Sequence, residues 1–187
     1  IVRNGMCAPP IGRGRARRRV RAHPLVSRII CNSGPLIALG LLGRLDILKS
    51  PFDEVLVPEA VQIEIEQGGI RLLGLEDFRR AGWIRVVPLK EKRDELLESL
   101  LDIGEAAVIG LAREQKAALV LIDERKARKV ARDIYGLQPI GTARILVEAR
   151  KQQLLPEIAS QFQKLRQAGY WIHDSIVQTA LLEAGEV

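Results

Sequence analysis

The sequence predicts an α/β fold, a three-layer α/β/α sandwich around a central parallel sheet of four or five strands. Three observations predict it. Short apolar runs alternate with longer stretches of helical periodicity. The runs are continuously apolar, as strands covered on both faces must be. The apolar side chains are mainly Leu, Ile, Val and Ala, and aromatic residues make up only 4% of the 187. One domain is expected at this length, with enough chain to bury a sizeable core.

The elements follow in order. Arg28–Cys31 is β-rich and leads into an expected turn at Asn32-Ser33-Gly34. Pro35 then opens an apolar helix to about Leu42, since proline is tolerated in a first helical turn. Leu45–Leu48 reads as a second short helix and Glu54–Val57 as a strand. Pro58 starts a helix that runs to about Gln67 and ends at Gly68-Gly69. A helix near Leu75–Ala81 precedes a strand at Trp83–Val87. Helices are expected at Glu91–Leu101 and Ile103–Gln115. Ala117–Ile122, six apolar residues in a row, is the clearest strand. A helix over Glu124–Tyr135, an extended piece at Gln138–Ile140, and helices near Ala143–Lys151, Pro156–Ala168 and Ser175–Ala184 complete the pattern.

The formal net charge of +6 is unevenly placed. Residues 1–28 hold eight arginines and no acid; subtracting those from the 29 basic residues leaves 21 against 23 acidic ones. The body is therefore near neutral. Residues 1–27 form a basic arm, expected to be unstructured because Gly, Pro and Arg dominate it without apolar periodicity. The chain opens on Ile1, so two readings of the arm stay open. It is a nucleic-acid contact through Arg17, Arg18 and Arg19, or it lies outside a natural protein starting near Val26. Cys7 and Cys31 cannot form a disulfide framework and no CxxC suggests zinc, so a reducing, cytoplasmic setting is expected. Arg28, Asn32, Gly34 and Pro35 interrupt the one run resembling a signal sequence, and no membrane contact is expected. The low aromatic share counts against a broad base-stacking platform.

Ligands of an open parallel sheet bind beyond the carboxyl ends of its strands. Asn32 follows the first strand and Asp123 the clearest one. Each has an alternative role, Asp123 as a helix cap and Asn32 as the stabiliser of its own turn. Glu105, in Asp102-Ile103-Gly104-Glu105, either completes a capping box with Asp102 or is delivered by its helix toward Asp123. Glu64 borders the apolar stripe of its helix, where it is a surface charge or a site acid. Carboxylates gathered at one rim repel unless a cation is present. Oxygen ligands without His or Cys suit Mg²⁺ or Mn²⁺, which can activate water and stabilise phosphodiester cleavage.

Five segments occur in order: Asn32-Ser33-Gly34-Pro35-Leu36-Ile37-Ala38-Leu39, Val57-Pro58-Glu59-Ala60-Val61, Gly104-Glu105-Ala106-Ala107, Leu121-Ile122-Asp123-Glu124 and Ile140-Gly141-Thr142. With this order and spacing, roughly residues 28–170 resemble a PIN domain, nearest the DUF3368 branch. The resemblance implies a metal-dependent ribonuclease with Glu64, Glu105 and Asp123 as metal-site acids. Asn32 stands where most such nucleases carry their first Asp; its amide oxygen can ligate a metal but brings no charge. Often these proteins are toxins, so RNA, an antitoxin and a second copy of the chain are the implied partners.

Two further groups bear on phosphate or water. Lys126 and Arg128 are placed to meet phosphate near the metal, or they belong to the solvated face of their helix. Ser33 holds a water near the metal or caps the helix that follows. Two functional readings result: a Mg²⁺- or Mn²⁺-dependent endoribonuclease, or a non-catalytic module that binds RNA or protein through a degenerate site. Phosphate-loop, dinucleotide and nucleophile-elbow signatures are absent.

Overall fold

The computed structural model describes residues 27–67, 75–90 and 94–186. Five strands form one all-parallel sheet: β1 (Arg28–Cys31), β2 (Glu54–Pro58), β3 (Ile84–Val87), β4 (Leu119–Leu121) and β5 (Gln138–Ile140), in the order β3-β2-β1-β4-β5. Nine α-helices are described around it: α1 (Ser33–Leu41), α2 (Glu59–Gln67), α3 (Leu75–Arg80), α4 (Glu95–Leu100), α5 (Ile103–Glu114), α6 (Arg125–Asp133), α7 (Thr142–Lys151), α8 (Ala159–Gln167) and α9 (Asp174–Ala184). The expected second short helix is a 3-10 helix, Leu45–Lys49. The α/β class with helices flanking a parallel sheet is as the sequence predicts.

β1 is central, and the chain leaves it toward β2 but leaves β4 toward β5. Parallel crossovers are right-handed, so these opposite directions put α1 on one face and α5 and α6 on the other. The packing agrees: α1 lies against α3 and α7, while α5 lies on β1, β2 and β4. Ile29, Ile30, Leu56, Val120 and Leu121, at most 1% exposed, fill the sheet between the two layers. Pro139, which has no N–H for a ladder, is tolerated because β5 is an edge strand.

Element boundaries differ from expectation where a hydrogen bond captures the terminal residue. No separate turn occupies Asn32-Ser33-Gly34: the Asn32 amide still donates to the Leu121 carbonyl at 3.0 Å, and α1 begins at once at Ser33. Pro58 closes β2 rather than opening α2. The apolar run Ala117–Ile122 is longer than β4, since the Ala117 amide caps α5 at the Ala112 carbonyl. Asp94 accepts from Leu96 and Leu97 N–H and so starts α4, and the expected residues 91–93 lie outside the described ones. Glu186 accepts the Ile158 and Ala159 amides, and α8 therefore starts at Ala159, not Pro156. The basic arm with Arg17, Arg18 and Arg19, like Gly68-Gly69, also lies outside the described residues.

No helix among the described residues is long and apolar enough to cross a membrane.

Candidate functional site

The order β2-β1-β4 creates a switch point between β1 and β4, because the loops after them turn opposite ways. Asn32 stands at the end of β1. It is the N-cap residue of α1 by position, yet its side chain makes no capping bond. Its Oδ1 is buried and has no hydrogen-bond partner. A buried amide oxygen left bare costs about 1–3 kcal/mol, which favours a ligand that supplies its missing partner. Cys31, one residue earlier, is fully buried, and desolvation pushes its thiol far above the usual range. It is core, not a nucleophile.

α2 brings Glu64 to the same place. Ser33 Oγ donates to Glu64 Oε1 at 2.9 Å, so Ser33 orients an acid rather than capping α1. The other carboxylate oxygen points at Gly104, on the first turn of α5. A Cβ on Gly104 would lie 2.6 Å from Glu64 Oε2, 3.4 Å from Asn32 Oδ1 and 3.6 Å from Asp102 Oδ1. Three oxygens from β1, α2 and the α5 cap thus converge on a space open only because residue 104 has no side chain. Desolvation raises the Glu64 carboxyl above its usual range; the Ser33 bond opposes this and the Asp102 charge reinforces it.

Glu105 is buried, at 6% exposure, and it closes the capping box with Asp102. Asp102 Oδ1 accepts the Glu105 amide at 2.7 Å, and Glu105 Oε2 accepts the Asp102 amide at 3.4 Å. Desolvation first, then the Asp102 charge, pushes the Glu105 carboxyl up to about 7; Glu124 adds to this and Lys126 opposes it. A carboxyl poised there exchanges a proton near neutral pH.

Asp123 follows β4 but does not cap α6, whose N-cap is Glu124, accepting from Lys126 N–H. It turns instead to the start of α7. Asp123 Oδ1 accepts the Thr142 amide at 2.8 Å, and Oδ2 accepts Thr142 Oγ1–H at 2.6 Å and the Tyr170 hydroxyl. A carboxylate at a helix N-terminus is favoured by the unpaired amides there. Gly141 permits the approach, since a Cβ on it would stand 2.8 Å from Asp123 Oδ1 and 3.4 Å from Arg128 Nη1. Arg128 is half-buried beside Asp123, whereas Lys126 is exposed.

The expected residues therefore fall into two groups. Asn32, Ser33 and Glu64 meet around Gly104, with Glu105 turned into its cap beside them. Asp123 and Arg128 meet around Gly141. Among the described residues, no group of three His, Cys, Asp or Glu side chains lies close enough together to hold a metal ion. The donor set at Gly104 fits a hard cation all the same, with two carboxylates and a bare amide oxygen.

Sequence reasoning gave no role to Gly104, Thr142 or Tyr170, and read Asp102 only as a cap. Gly104 and Thr142 stand inside the segments that carry the resemblance, so a signal existed for them. Tyr170 lies 47 residues from Asp123 and left none.

The model of a family described as a PIN domain, DUF3368, matches residues 28–186. No curated protein matches the chain.

Proposed function

The chain belongs to the DUF3368 family of PIN domains, and from that premise we propose that it is a divalent-metal-dependent endoribonuclease working at the carboxyl edge of its sheet. The fold is nuclease-like. The observation that carries the reading is the bare, buried Asn32 Oδ1, directed with Glu64 and Asp102 oxygens at the space over Gly104. Three oxygens and no competing donor side chain are what a Mg²⁺ or Mn²⁺ ion prefers.

Asn32, Glu64 and Asp102 would hold the ion, with Glu105 and Asp123 flanking it. A bound divalent cation supplies Lewis acidity for phosphodiester hydrolysis, toward both the phosphoryl oxygen and the attacking water. The protein's own groups do the rest. Ser33 fixes the Glu64 rotamer. Glu105, raised to about 7 without the ion, is drawn toward its charged carboxylate when the cation binds, the form that accepts a proton. Thr142 and Tyr170 hold Asp123 in one orientation, and Arg128 offers charge to a phosphate beside it.

Cleavage of a labelled single-stranded RNA in Mn²⁺ tests the activity; Asp123→Ala must abolish it. Growth arrest on induced expression, lost in the same variant, tests the narrower assignment as the toxin of a toxin–antitoxin pair.

A second reading has its own support. Asn32 supplies no charge, which favours a PIN module that binds RNA without cutting it. In that case Asn32→Asp creates cleavage while RNA affinity stays unchanged.

A further inference from the structure

We propose that Trp171, with Arg125 and Arg128, forms a nucleotide subsite beside Asp123 that stacks one unpaired base and holds its phosphate. The proposal rests on the RNA-cleaving reading and names where the strand lies. Trp171 is 75% exposed, more than any other large apolar residue described. Its ring offers a large, rigid apolar face to a ligand. It is not on a loose segment. Tyr170, the preceding residue, is hydrogen-bonded to Asp123, and His173 caps α9 just beyond. The backbone is thus pinned at the acid while the indole stands in an open groove that also reaches Asp123, Arg125 and Arg128.

Two of the groove's three arginines are left to meet a phosphate, beside the acids Asp123 and Glu124. Arg144 on its wall is neutralised by Glu148 and Glu183. Glu124 accepts the Lys126 amide. Among the described residues, Arg125 and Arg128 make no ion pair. Arg128 also lies beside Asp123, with the Gly141 position close to both. An exposed ring next to free guanidinium groups is the pairing that holds a single strand: bases stack on the ring and cations follow the backbone. A duplex keeps its bases stacked on one another and has none to offer Trp171. The low aromatic content argues against a platform for many bases; one ring suffices for one nucleotide.

The test uses Trp83→Phe, which leaves Trp171 as the sole fluorophore of the two tryptophans. A short single-stranded RNA, without divalent ions, should quench it, and an abasic oligomer of equal length and charge should not. Trp171→Ala should weaken RNA binding about tenfold, with Trp171→Phe recovering much of the loss. Equal quenching by the abasic oligomer, unchanged affinity in Trp171→Ala, or no RNA binding at all overturns the subsite. Dissociation of an oligomer in Trp171→Ala, seen by sedimentation, assigns the ring to a protein contact and overturns it as well. Base-dependent quenching with no cleavage in Mn²⁺ leaves the subsite standing while the nuclease reading fails.

Discussion

The Tyr170 hydroxyl donates to Asp123 Oδ2, tying the segment before α9 to the end of β4 across 47 residues of chain. Asp123 also receives the amide and the hydroxyl of Thr142, so one carboxylate gathers three donors from two segments. Each bond to a charged acceptor contributes about 1.5–3 kcal/mol at most, and less where solvent competes. Tyr170→Phe is expected to destabilise the fold by roughly 1 kcal/mol in urea unfolding and to slow RNA cleavage. Thr142→Val, which keeps the amide bond, should do about the same. Unchanged cleavage in both variants would show that the orientation of Asp123 is irrelevant to the reaction.

Gly104→Ala places a methyl group 2.6 Å from Glu64 Oε2. The glutamate can swing away because α2 presents it to solvent, so the protein should fold. The convergence with Asn32 is then lost, and Mn²⁺ affinity should fall by about tenfold or more, as when ligand geometry is disturbed. Calorimetry reads this directly. Full affinity in Gly104→Ala would remove the space over residue 104 from the metal site.

The stability of the metal-free protein should depend on pH through Glu105. Its carboxyl is raised from 4.5 to about 7 in the fold, so between those values the native state binds more protons than the unfolded chain. Stability therefore falls as pH rises through this window and levels off above about 7. Glu64 is raised as well and acts in the same direction. Glu105→Gln should flatten most of the slope in unfolding curves taken from about pH 5 to about pH 8. A slope of the opposite sign would contradict the burial of Glu105.

Much of the fold was legible in the chain because its strands are short, apolar and bounded by turns and caps. Arg28–Cys31 and Gln138–Ile140 are observed with the boundaries read from sequence. The capping box of Asp102 and Glu105 was one of two alternatives, and its local spacing makes it visible without a structure. Asn32 behaved differently. Its position suggested a turn, whereas continued pairing with Leu121 leaves no turn before α1, and the amide oxygen is buried. The residues around Asp123 were hidden for another reason. Thr142 at least stands in a segment that carries the resemblance, whereas Tyr170 reaches Asp123 only through tertiary packing, which no periodicity or motif records.

Asn32→Asp is expected to act in opposite ways with and without metal. The new charge beside Glu64 and Asp102 should destabilise the metal-free protein, since like charges held together oppose folding. Added Mn²⁺ should more than restore the loss, because ions that bind only the folded state stabilise it. Melting curves with and without Mn²⁺ check both signs. A variant that is equally stable in the two conditions would place residue 32 away from any cation.

The most direct measurement is Mn²⁺ binding by calorimetry to the unaltered protein, to Asp123→Ala and to Asn32→Asp, with RNA cleavage assayed on the same samples. A working site predicts binding and cleavage by the unaltered protein, tighter binding by Asn32→Asp, and no cleavage by Asp123→Ala. Three folded proteins that neither bind Mn²⁺ nor cut RNA would contradict the account.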